Sequence, residues 1–182
     1  MATVGRPNSR DRILAAAVEL AQEVGPGHVS LDAVAQRAGV SKGGLLYNFP
    51  SKAKLMEAIV AHHLHQFENL LLDKTDSKQG KPDSVIEACV ELYEADCKKK
   101  LPPASGFLAA LVENPDLLNP ARTFSRRLID RIKSNASDVP TALVVFIALE
   151  GLRCLPLLDI DTLSDAERRK ILDKLHSMVG QD

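Results

Sequence analysis

The sequence predicts an all-α protein in two parts. An N-terminal three-helix helix-turn-helix domain is followed by a C-terminal helical domain, with about nine helices in all. Three observations lead there. Apolar residues recur at helical spacing along most of the 182 residues, and no segment alternates as a half-buried strand does. Hydrophobic residues make up 45% of the chain but aromatics only 4%, with no Trp, which suits helix packing by Leu, Ala, Val and Ile. Residues 30–54, SLDAVAQRAGVSKGGLLYNFPSKAK, read as a short helix, a glycine turn, a second short helix and the cap of a third.

Residues 1–8 form an arm, with Arg6 and Arg10 near its junction with the first helix. Such an arm touches phosphates or a minor groove, or it is a terminus with no role. The first helix spans about Ser9 to Val24, with Ile13, Ala17, Leu20, Ala21 and Val24 on one stripe, and Gly25-Pro26-Gly27 ends it. Ser30 is an N-cap ahead of Leu31, Val34, Ala35 and Ala38, and Gly39 supplies the left-handed position that stops the second helix. Ser41 caps a third, short helix carrying Leu45, Leu46 and Phe49. Pro50 ends it, and Ser51 caps the next. Two helices joined by a three-to-four-residue turn containing Gly expose the second helix to the DNA major groove.

The fourth helix runs from the Ser51 cap to about Leu72, with Met56, Val60, His63, Phe67 and Leu70 on its face, and residues 73–81 read as a polar loop. Pro82 opens the fifth helix, which reaches about Lys100 through Val85, Cys89, Leu92 and Tyr93. Lys98-Lys99-Lys100 covers its C-terminal end, where cations oppose the dipole. Pro102-Pro103 breaks the chain before a short sixth helix at about Ser105 to Glu113. Asn119 caps and Pro120 starts the seventh, with Phe124, Leu128 and Ile132 inward. The eighth, about Pro140 to Leu155, is apolar nearly all round and needs burial on several sides. Ser164 to Glu167 is a capping box opening the ninth, whose stripe is Ile171, Leu172, Leu175, Met178 and Val179.

The formal charge of −1 hides an asymmetry: residues 1–54 carry seven Lys and Arg against four Asp and Glu, while the remainder is net acidic. A basic end and an acidic remainder fit a protein of which one part meets phosphate, although scatter gives similar differences. Cys89, Cys97 and Cys154 form no CxxC pair. Cys89 and Cys97 stand about 12 Å apart along one helix, too far for a disulfide, so all three read as small buried hydrophobes in a reducing cytoplasm. The N-terminus is polar and basic, unlike a secretory signal, and the longest apolar run, Ala142 to Leu149, is too short to span a bilayer.

Residues 34–55 carry Val34-Ala35, Ala38-Gly39-Val40-Ser41, Gly43, Leu45, Asn48-Phe49-Pro50-Ser51-Lys52 and Leu55. In this register the segment resembles IAxxAGVSxGxLYxHFxSKxxL, the signature of the TetR family of transcriptional regulators. With the first helix the detailed likeness covers roughly residues 9–57. The resemblance implies a helix-turn-helix domain over residues 1–50 and a dimerisation and ligand-sensing domain over 51–182. It implies a homodimeric repressor of a double-stranded, palindromic DNA operator, released by a small-molecule effector. A helical DNA-binding or partner-binding protein without a ligand is the alternative.

On the third helix, Ser41, Lys42, Gly43, Gly44, Tyr47 and Asn48 face outward, because Leu45 and Phe49 point in. Lys42 reaches guanine acceptors or a phosphate, the glycines allow close backbone approach, and Asn48 pairs with adenine or binds a phosphate. Lys52 adds its charge to the positive end of the fourth helix and holds a phosphate. The resemblance implies that Ser30, Lys42, Gly43, Tyr47, Asn48 and Lys52 face DNA. The chain departs from the signature at Leu46, where the family has Tyr, and at Asn48, where it has His. The operator sequence is therefore open.

For a ligand, the candidates are Phe67, Leu92, Tyr93, Phe107, Leu111 and Phe124, which serve equally as plain core. The eighth and ninth helices carry more apolar surface than one small domain buries, and Gly151 allows close approach, so they are expected to pair with their symmetry mates. His62, His63 and His65 suggest a metal site, but His63 lies on the apolar stripe and the other two read as solvated. Arg126, Arg127 and Arg131 read as a solvated basic face before an anion site. No GxSxG, HExxH, P-loop or GxGxxG occurs, so neither an enzyme nor a cofactor is expected.

Overall fold

Side-chain caps set the helix starts in the computed structural model, which describes residues 8–78, 80–97, 115–158 and 160–179. Asn8 opens α1 (Ser9–Val24) by accepting from the Asp11 N–H at 2.9 Å. Ser30 accepts from Ala33 N–H at 3.2 Å to open α2 (Leu31–Ala38), and Ser41 accepts from Gly44 N–H at 3.1 Å to open α3 (Lys42–Asn48). Between them Gly39 sits at φ 64°, a conformation that other residues enter at a cost. Ser51 opens α4 (Lys52–Asp76), accepting from Lys54 N–H at 3.2 Å.

The remaining helices are α5 (Ser84–Cys97), α6 (Asn119–Asn135), α7 (Val139–Leu157) and α8 (Asp165–Val179), with short 3-10 turns at Pro26–His28 and Pro115–Leu118. The described residues thus hold eight α-helices and no strand. The short helix expected near residues 105–113, with Phe107 and Leu111, and the Lys98 to Lys100 run lie outside them. The capping box of α8 forms as read: Ser164 N–H donates to Glu167 at 2.8 Å and Glu167 N–H to the Ser164 hydroxyl at 3.3 Å.

The chain divides into two compact units. The first comprises residues 1–62 and 101–120, the second residues 63–100 and 121–182, and α4 contributes to both. The first unit packs Ile13, Ala16, Ala17 and Leu20 of α1 against Val34, Ala35 and Ala38 of α2, Leu45 and Phe49 of α3, and Leu55 of α4. Arg37 clamps α2 to α1 from outside, with both guanidinium nitrogens 2.9 Å from the Glu23 carboxylate. That pairing holds the Glu23 carboxyl below its ordinary range.

In the second unit α5 is the central element, buried along residues 84–90 and at Leu92 and Tyr93. Asn135 at the end of α6 secures its start: the side-chain oxygen accepts from Val85 N–H at 3.0 Å and from the Ser84 hydroxyl at 3.2 Å. Phe67 and Leu71 of α4, Phe124, Leu128 and Ile132 of α6, Val145, Phe146 and Leu149 of α7, and Leu172 and Leu175 of α8 complete this core. Tyr93 also accepts from Arg168 at 2.8 Å.

Several expectations need correction. Val24, the last residue of α1, is 46% exposed, and Leu46 on α3 is also exposed. The stripe on α4 holds at Met56 and Phe67 but fails at His63 and Leu70. His63 and Leu70 face solvent, whereas Leu64, Phe67 and Leu71 pack inward. Alternating steps of four and three average 3.5 residues, so over several turns they drift off a helix of 3.6. That helix also continues to Asp76, four residues past Leu72, where a loop was expected. Of the three cysteines only Cys89 is buried, while Cys97 and Cys154 are exposed at the ends of their helices.

The eighth expected helix, here α7, buries Ala142, Val145, Phe146, Leu149 and Leu152 but leaves Val144 58% and Ile147 64% exposed. Val144, Ile147, Gly151 and Cys154 follow at steps of three and four, so they form one outward stripe. The short uninterrupted run at Ala142 to Leu149 understated this helix. Residues 139–156 are long and apolar enough, by length and composition, to cross a bilayer, and only Glu150 and Arg153 carry charge there.

Candidate nucleic-acid interface

The two caps and the Gly39 turn fix α3 rigidly against α1 and α2, with Leu45 fully buried and Phe49 2% exposed as its anchors. What remains outward follows from the 3.6-residue period. Ser41, Lys42, Gly43, Leu46 and Tyr47 are exposed, and Tyr47 reaches 89%. Gly44 and Asn48, expected outward, are half-buried. They lie on the flank of α3, where the Asn48 amide donates to the Gly44 carbonyl at 2.8 Å and to the Ser9 hydroxyl at 3.3 Å.

Lys42 stands at the start of α3, and its ammonium lies 3.0 Å from Asp32 with both side chains largely in water. An exposed pair of this kind is weakly held, so a phosphate or base edge competes for the lysine on even terms. The hydroxyls of Ser30 and Ser41 accept cap hydrogen bonds but keep their O–H protons for an outside acceptor. Lys52, at the first turn of α4, points its ammonium to within 3.4 Å of the Gly27 carbonyl. A Cβ added to Gly43 would meet nothing nearer than the Ser41 hydroxyl at 4.0 Å, so its outer side is open.

Two contributors were not legible as such. Arg10 lays its guanidinium 5.0 Å from the centre of the Phe49 ring, steadying the end of α3. Arg37 is the second, through its clamp on Glu23. Glu19 and Glu23 stand four apart on one face of α1 and face the last turn of α2, which was the available signal.

In the second unit the four described ligand candidates, Phe67, Leu92, Tyr93 and Phe124, are all buried members of one core. Phe67 and Phe124 meet edge to face with centroids 5.8 Å apart. A shallow open groove in the first unit, lined by Asp11, Leu14, Ala15, Val18, Glu19 and His62, shares no residue with them. Among the described residues no group of three His, Cys, Asp or Glu gathers as a metal site, and His63 is exposed rather than on an apolar face. Arg126 pairs with Asp130, and Arg127 lies 3.7 Å from Glu68.

A capped two-helix turn that buries one side of a short third helix and bares the other defines a helix-turn-helix DNA-binding protein. Residues 13–59 match the family model for bacterial regulatory proteins of the tetR family, and residues 83–180 match the tetracyclin repressor-like C-terminal domain. Residues 83–180 alone exceed half of the chain, and the chain belongs to the TetR family of transcriptional regulators.

Among curated relatives, the nucleoid occlusion factor SlmA of Aliivibrio fischeri is 39% identical over 61 residues, 33% of this chain and 31% of that protein. The HTH-type transcriptional regulator SrpR of Pseudomonas putida is 33% identical over 60 residues, 33% of this chain and 28% of its own length. The chain therefore spans about a third of the curated relatives it matches. Among solved structures, the multidrug binding protein EbrR complexed with imidazole superposes with a TM-score of 0.68. The match covers 97% of this chain and 93% of that one at 20% identity, a likeness of fold.

Proposed function

We propose that this TetR-family regulator is a cytoplasmic homodimeric repressor that binds a palindromic operator through α3 and is released by a small-molecule effector. The observation that carries the DNA-binding part is the bared face of α3, with Tyr47 at 89% exposure above a buried Leu45. Residues 1–50 act as the DNA-binding domain and residues 51–182 as the dimerisation and sensing domain. Lys42, Gly43, Leu46 and Tyr47 enter the major groove. Ser30, Ser41 and Lys52 hold phosphates on either side, and Gly44 and Asn48 fix the pose from the flank.

A helix-turn-helix of this size reads a half-site, so specificity requires two copies about one helical turn of DNA apart or a multiple of it. The outward stripe of Val144, Ile147, Gly151 and Cys154 on α7, with α8 beside it, supports a four-helix bundle between two copies. For the effector, support comes from fold likeness to EbrR, which has been solved with malachite green and with ethidium. The ligand meets Phe67, Leu92, Tyr93 and Phe124, with Phe107 and Leu111 as further candidates.

Selection of duplexes from a random pool by the purified protein tests this reading. The expected winners carry an inverted repeat with half-sites about one turn apart. Recovery of sequences with no repeat, or of no duplex at all, would contradict it.

A further inference from the structure

The second unit holds two arginines beside Tyr93, and they differ in how their hydrogens are used. Arg168 is satisfied, pairing with Asp161 at 2.5 Å and donating to the Tyr93 hydroxyl at 2.8 Å. Arg153 of α7 is not. Its guanidinium carbon lies 4.8 Å from the centre of the Phe67 ring and 5.8 Å from that of Tyr93, while its Nε–H is buried without a hydrogen-bond partner. Glu150 comes to 3.8 Å of that nitrogen, beyond hydrogen-bonding reach. A buried donor left unmade carries its full desolvation cost, and such a group in a native fold calls for a partner.

The surroundings favour an anion in that role. The arginine side chain keeps 29% exposure. The guanidinium already beside the Phe67 and Tyr93 rings repels a cationic ligand by like charge. A carboxylate, in contrast, matches the planar fork of the guanidinium.

We propose that the effector is a carboxylate-bearing aromatic compound, its carboxylate accepting from Arg153 and its ring joining the Phe67, Tyr93 and Phe124 cluster. This rests on the reading of the second unit as ligand-sensing. Glu150 is the internal competitor, because its carboxylate already stands 3.8 Å from Nε.

Calorimetry of the full chain with three matched probes tests the assignment: 2-naphthoate, 2-naphthalenemethanol and 2-naphthylmethylammonium. Naphthoate is expected to bind on the order of tenfold or more tighter than the other two. Arg153→Gln should erase that preference, with a cooperative melt showing that the variant folds. Arg153→Lys should restore part of the preference, and Glu150→Gln should tighten naphthoate. If the alcohol or the ammonium binds the wild type as well as naphthoate does, or Arg153→Gln keeps the preference, the anion assignment fails and ligand sensing stands. If none of the three binds up to its solubility limit, the assignment fails and the ligand-sensing reading loses its support with it.

Discussion

The side-chain amide of Asn48 donates to the hydroxyl of Ser9 at 3.3 Å, tying α3 to the first residue of α1 across 39 positions of sequence. The same nitrogen donates to the Gly44 carbonyl one turn back at 2.8 Å. Both amide hydrogens are therefore committed within the protein, which makes Asn48 a residue that aims α3 rather than one that reads adenine with that group.

Asn48→Ala should accordingly destabilise the first unit by about 1 kcal/mol and weaken operator and random DNA together. Thermal melting with parallel titrations on both duplexes checks this. A variant that melts like wild type and loses only operator affinity would restore Asn48 as a base reader.

Lys52→Ala removes a charge without a packing role, since the residue is exposed and its ammonium has only a distant carbonyl, 3.4 Å away. All DNA sequences should weaken alike, and the salt slope of binding should fall by about one. An unchanged slope would remove Lys52 from the phosphate contacts.

The second unit should lose stability at both pH extremes through one ion-pair network. Glu91 accepts from Lys74 at 2.6 Å and Lys78 at 2.7 Å, and these hydrogen bonds hold its carboxyl below the ordinary 4.5. Lys78 is raised above its ordinary 10.5 by the hydrogen bond to Glu91, with Glu87 adding to it. A depressed carboxyl stabilises above its unfolded value and ceases to as pH falls through its folded one. A raised lysine stabilises below its unfolded value and ceases to as pH rises through its folded one. Glu91→Gln should therefore flatten the melting profile below about pH 4.5 and lower the plateau between. A profile identical to wild type would show the network to be inert.

How much of this was legible depends on how local each signal is. Ser30, Gly39, Ser41 and the Ser164–Glu167 box act on the backbone three or four residues away, so their chemistry shows in sequence and the helices start and stop where they say. The face of α4 was misread because His63 and Leu64 are adjacent and only tertiary packing chooses between them. Arg153 over Phe67 and Tyr93 joins three helices, and no spacing along the chain announces such a meeting. Asn48 read as outward for a related reason: its bond to Ser9 is visible only once α1 and α3 are packed.

Ile147 is 64% exposed on α7, so a charge there costs the monomer little. Buried in a bundle of two copies it would be unpaired in an apolar contact. Ile147→Asp should convert a dimer at micromolar concentration into a folded monomer by light scattering. A wild-type protein that is already monomeric would contradict the proposed dimer.

The most direct test of α3 as the reading element is Gly43→Leu, measured for binding on selected and random duplexes with its melting temperature. A side chain at this position meets only open space and the Ser41 hydroxyl at 4.0 Å, so the fold should hold or gain slightly. Close approach to the groove should be blocked, and affinity for the selected duplex should fall by about tenfold or more. A variant that melts like wild type and binds the selected duplex with full affinity would show that DNA is met by another face.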